Sequence, residues 1–173
     1  MSGFGRPEPT EHAEYYGRYV AGVPDGDIFR MLIDQLEGTL RVLEPVTADR
    51  ETYRYAEGKW SLRDVVGHLI DTERMFAFRG LAMARADGVD LSAMDQDEWA
   101  ARSNAGSRPL ADLSKEWVAV RRSTVHLFAS FEEADGMRTG RASGYSFTVR
   151  SFPWIIAGHE LWHRELIERH YLP

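Results

Sequence analysis

Two of the six histidines, His159 and His163, stand four residues apart in SFPWIIAGHELWHRELIERHYL, a stretch with helical period. On a helix that spacing sets the two imidazoles about 40° apart and one turn along the axis, where they can chelate one ion. Divalent Zn, Ni, Co, Mn or Fe accepts imidazole nitrogen at ~2.1 Å, and a catalytic site takes three protein ligands and leaves a position for water. The pair therefore needs a third ligand. His68 is the best supplier: it sits beside Leu69 at the edge of another apolar stripe, from which it can look across a bundle. A single histidine on an apolar face is more often a hydrogen-bonded core residue, and the i,i+4 pair is what tips the balance toward a metal. His12 falls in the N-terminal segment and His126 on the expected surface of a third helix. His170 lies ~10 Å along the axis from His163 at ~1.5 Å per residue, too far to share its ion.

The string HELWH also satisfies the His-Glu-x-x-His pattern of zinc peptidases, in which the Glu activates a metal-bound water. The longer form of that pattern wants Gly and His where this chain has Leu166 and Arg169, and little chain remains for another ligand. Peptidase activity is a minority reading. Two carboxylates are candidate proton acceptors. Glu160 is one, although it lies roughly 100° around the helix from His159, where a solvated role or one of orienting a ligand is equally open. Glu73 is the other, in register with Leu69 and Phe76, with a buried structural pairing to Arg121 as the alternative. Arg74, Arg79, Arg121 and Arg122 are candidates for binding an anionic substrate or thiol cofactor, or else form surface and inter-helix ion pairs. Trp162 is the expected pocket wall.

Composition narrows the partners. The net charge of -6 comes from 27 acids interleaved with 21 Lys and Arg, with no basic run, so nucleic acid is a poor partner. With no cysteine there is no disulfide framework, thiolate ligand or cysteine nucleophile. No apolar stretch approaches the ~20 residues of a membrane span, and the N-terminus lacks a basic region and an apolar core, so a cytoplasmic location is expected. The 173 residues suffice for a single domain with a real core.

Four amphipathic stretches must position the histidines, and no sustained alternation argues for a sheet, so the expected class is all-α. The first runs from about Asp27 to Leu43. The second opens at Ser61, which with Asp64 forms an approximate capping box, and carries Leu62, Val66, Leu69 and Phe76 on one stripe. The third spans about Leu110 to Phe131. The fourth starts between Thr148 and Ser151 and runs nearly to the C-terminus, with Pro153 tolerated near its first turn. The connections Ala86 to Arg108 and Gly136 to Arg150 read as loops or short irregular pieces. Their length suggests lids over one end of the bundle.

With these segments in place the chain resembles the DinB-like superfamily, in its YfiT-like branch. The resemblance runs through GRPEPTEHAEYYGRYV, KWSLRDVVGHLIDTERMFAFR, DQDEWA and SFPWIIAGHELWHRELIERHYL, of which the second and fourth are the specific ones. It implies an up-down-down-up four-helix bundle with a metal site at His68, His159 and His163. It also implies a metal-dependent enzyme acting on a small molecule, either a hydrolase or an S-transferase that uses a low-molecular-weight thiol. A non-catalytic metal-binding or stress-associated protein is the alternative, and homodimers occur among relatives. Many relatives carry a second His directly before the last ligand, where this chain has Trp162.

Overall fold

The structure, a computed structural model, describes residues 4–172. Four long helices carry the fold: α2 (Ile28–Leu43), α4 (Leu62–Arg85), α6 (Leu110–Ala129) and α8 (Ser151–His170). Four shorter ones, α1 (Glu14–Gly22), α3 (Ala48–Glu51), α5 (Gln96–Arg102) and α7 (Glu133–Gly136), lie between and before them. The start signals act as their chemistry requires. Asp27 caps α2 by accepting from the Phe29 and Arg30 amides, and Ser61 and Asp64 form a reciprocal capping box on α4. Pro153 occupies the third position of α8, where a missing N–H leaves no helical bond unmade.

α2 and α4 each pack against both α6 and α8, so the pairs α2/α4 and α6/α8 lie across the bundle from one another. α8 departs from a simple amphipathic helix, because every residue from Ser151 to Glu160 is buried. The cause is α1, which covers the face of α8 that would otherwise meet solvent. The approach is close enough to demand glycine: a Cβ on Gly158 would lie 2.1 Å from the Tyr19 carbonyl oxygen. A backbone carbonyl cannot swing aside as a side chain can. Gly158→Ala is therefore expected to cost about 2–3 kcal/mol despite alanine's better helix propensity. Urea denaturation measures this, and an unchanged midpoint would disprove the close packing.

The all-α expectation needs one correction. The two long connections fold into a small sheet in which β1 (Asp90–Leu91) pairs parallel with β2 (Thr139–Ala142), and β2 pairs antiparallel with β3 (Tyr145–Thr148). Strands of two to four residues are too short to display a period of two. The turn between β2 and β3 is built by Ser143 and Gly144 at φ 54 and 82, the left-handed pair that a tight hairpin needs. The sheet fixes both connections beside the end of α4 and brings Ser143 over it.

Candidate metal centre

His68 projects from α4, and His159 and His163 from successive turns of α8. One potential ligand atom from each lies within 4.8 Å of those of the other two. The Nε2 atoms of His68 and His159 are 3.2 Å apart. With bonds of ~2.1 Å that separation subtends roughly 100° at a shared ion, between octahedral and tetrahedral values. The same two nitrogens can instead share a proton, but that leaves His163 Nδ1, which is buried with no hydrogen-bond partner. Three imidazoles whose ring nitrogens converge within 4.8 Å, one ring carrying an unpartnered buried nitrogen, fit a cation better than a closed hydrogen-bond set.

The electrostatics agree. Burial holds the His68 imidazole down to about 4. His163 is held down to about 3 by burial and then by His68, and His159 falls well below the ordinary range through burial, His163 and His68 in that order. All three are neutral at physiological pH, the form in which imidazole donates to a metal.

Several supporting residues escape sequence reasoning. Thr72, one turn after His68, places its hydroxyl 3.3 Å from His68 Nδ1, where it can accept the N–H and leave Nε2 free to donate its lone pair. Trp60 packs on the His68 ring at 4.8 Å, and Tyr19 of α1 meets His159 edge-on at 5.4 Å. Thr72 had a signal in its i+4 spacing. Tyr19 had none, because only the packing of α1 on α8 brings it there.

The candidate carboxylates share a small cavity with His159 and are engaged by Arg121. Glu73 receives both Nε and Nη2 of Arg121, at 2.8 and 2.9 Å, and the Trp117 indole N–H at 3.0 Å. Glu160 accepts from Thr39 at 2.7 Å through Oε1. Its Oε2 lies 2.9 Å from Arg121 Nη1, close enough for charge pairing, although no N–H is aligned on it and Nη1 donates to the Leu32 carbonyl. All three side chains are buried. Burial opposes the charge on Arg121, but Glu160 and Glu73 outweigh it and raise its pKa. The structure thus realises the structural alternative for Glu73. It also ties the glutamate of HELWH into the same cluster.

Beside His68 and His159 opens a cavity of about 190 Å³. Tyr15, Tyr16 and Tyr19 from α1 line it, as do Arg79 from α4, Met94 and Gln96 from the first long connection, and Ser143 from the second. Both connections do cover the site end of the bundle. Trp162 does not line this cavity; it is half exposed and packs edge-on against Tyr19, under Arg18. The turn of α8 carries its side chain outward from the ligand face. His126 is exposed, His12 is buried against the Ala13 carbonyl, and His170 stacks on Tyr55, so none joins the cluster. Arg74 pairs with Glu116, and Arg122 is exposed.

A sequence profile described as the DinB superfamily matches residues 31–167, which include all three histidines, the whole of α4 and α6 and most of α2 and α8. The chain belongs to the DinB superfamily. No curated protein sequence matches this superfamily member. Among solved structures it is similar to YfiT from Bacillus subtilis, described as "a probable metal-dependent hydrolase with an unusual four-helix bundle topology". The two share 15% identity with a TM-score of 0.69, over 94% of this chain and 91% of that one. At that identity the likeness establishes the DinB-type fold. No helix among the described residues is long and apolar enough to cross a membrane.

Proposed function

We propose that this DinB-superfamily protein is a metal-dependent hydrolase that acts on a small molecule at the three-histidine site. The observation that carries this reading is the convergence of one ring nitrogen from each of His68, His159 and His163 within 4.8 Å, in a cluster where His163 Nδ1 is buried and unpartnered. Family membership and the likeness to YfiT support it. So does the placing of α2 opposite α4, which is compatible with the up-down-down-up order that the resemblance implies. His68, His159 and His163 would hold a divalent ion, which would supply Lewis acidity toward a substrate oxygen or a water.

The chain's own residues do the rest. Thr72 orients His68, and the Tyr19 ring screens His159 from water. Burial raises the Tyr16 and Tyr19 phenols, so both keep their protons and serve as hydrogen-bond donors to a substrate rather than as bases. The cavity is smaller than the ~300 Å³ at the low end of drug-sized sites, which suits a substrate of few atoms.

Elemental analysis of purified protein beside His159→Ala tests the centre: about one ion per chain in the wild type and a large loss in the variant are expected. Equal metal in both, or none in the wild type, sinks the proposal. In the metal-replete protein, hydrolysis of small esters or amides should need only water and should stop on chelation. A requirement for an added low-molecular-weight thiol would move the reading to an S-transferase.

A further inference from the structure

Arg79 is 3% exposed, yet among the described residues no carboxylate lies within 4.0 Å of it. The contrast with Arg121 is sharp, since that guanidinium, buried more deeply, has two carboxylates. Its partners are all neutral: Nη2 donates to the Ser92 carbonyl and the Ser143 hydroxyl, each at 3.0 Å, and the Tyr16 phenol lies beside the guanidinium. Burial lowers its pKa, and the nearby Tyr16 phenol only partly offsets this. A buried cation with no counter-ion is costly, and such groups are retained where a partner arrives from outside.

The cavity supplies the place for that partner. Arg79 is the sole charged side chain lining it among the described residues; the others are aromatic, apolar or neutral polar, or belong to the histidine cluster. A chain with an excess of acids has excluded every acid from this wall. His68, Thr72 and Arg79 follow one another at i, i+4 and i+11, a single face of α4, so the cavity runs from the histidines at one end to the guanidinium at the other.

We propose that Arg79 receives the carboxylate of a small monoanionic substrate whose reacting group is thereby set against the three histidines. This rests on the hydrolase reading for the substrate's orientation, while the anion site itself stands on Arg79 and the cavity. A carboxylate is favoured over a phosphate because one guanidinium neutralises one charge. With no ion at the histidines, a dianion would leave one negative charge unmatched in this partly open cavity of about 190 Å³. The β2–β3 turn is part of the device: Ser143, held at φ 54, fixes Nη2 and leaves the rest of the guanidinium without a carboxylate, beside only the neutral Tyr16 phenol.

The test uses the full-length protein, both as purified and after chelation, titrated with N-acetylglycine, N-acetylglycinamide and inorganic phosphate, with binding followed by NMR shifts. The acid should bind roughly tenfold or more tightly than the amide in both preparations, as a charge-assisted contact predicts. Arg79→Met should reduce that ratio to about one while leaving the thermal midpoint unchanged or higher, because it removes an uncompensated buried charge. Arg79→Lys should keep part of the preference.

Equal binding of acid and amide by the wild type overturns the proposal. So does a preference that survives Arg79→Met, or an Arg79→Met protein that loses stability, which would make Arg79 a strut for the two connections. Phosphate binding more tightly than N-acetylglycine to the chelated protein overturns the carboxylate assignment. A protein without metal that still prefers the acid loses only the hydrolase reading, and a metal-loaded protein without the preference loses only the anion site.

Discussion

Arg121→Ala is expected to lower stability by about 3–5 kcal/mol, because it strands the Glu73 and Glu160 carboxylates in an interior from which water is excluded. Domains of this size are stable by only about 5–15 kcal/mol, so the loss is a large share of the total. It should lower the thermal midpoint by roughly 6–20 °C. The cost comes from the unpaired charges rather than from the lost contacts. A triple replacement, Arg121→Met with Glu73→Gln and Glu160→Gln, should therefore recover much of it. Chemical denaturation of the single and triple variants makes the comparison, and equal stability of the two would refute the account. The same cluster decides what Glu160 does. Glu160→Gln should lose stability and keep most metal binding, whereas a catalytic base would lose turnover with stability intact.

Acid should destabilise the metal-free protein through its three buried histidines. In the unfolded chain the three imidazoles take up protons near pH 6.5, while in the folded chain His68 and His163 resist protonation until about 4 and about 3. Folded-state values below the unfolded one mean that stability is fully present above pH 6.5. It is lost as pH falls toward 4, by up to about 1.4 kcal/mol per pH unit for each histidine. Urea midpoints of chelated protein at pH 7.5 and 5.0 should differ accordingly, and His163→Ala should flatten the dependence. A midpoint that does not move between those pH values would contradict the burial of the cluster. The same depression has a second consequence. Because the imidazoles are already neutral, metal affinity should stay nearly flat from pH 8 down to about 5, where a surface site with ordinary histidines would already have weakened.

These two clusters adjoin each other in α8, where His159 and Glu160 are consecutive. Their roles diverge through helix geometry: about 100° of rotation turns one side chain to the histidines and the next to Arg121. The motif HELWH is therefore divided between a candidate metal centre and a structural ion cluster.

Much of this was legible in one dimension. Helical period marked the four long helices to within about two residues, because a buried stripe must recur every 3.6 positions. Ser61 and Asp64 announced the start of α4 through the donors they satisfy. The i,i+4 histidines could be joined because a helix turns local spacing into direction, and the apolar neighbour of His68 pointed it inward. What stayed hidden depends on contacts between distant segments. Nothing near Tyr19 in the chain says that α1 will roof His159; that follows from Gly158 admitting a backbone where any side chain would clash. The strands are too short to carry a period, and only their pairing makes them a sheet. Most of all, sequence could propose Glu73, Glu160 and the arginines as reactive or merely charged, but a charge's role is set by what else is buried beside it. Tertiary packing gave Arg121 two carboxylates and Arg79 none, and that difference separates a strut from a candidate binding group.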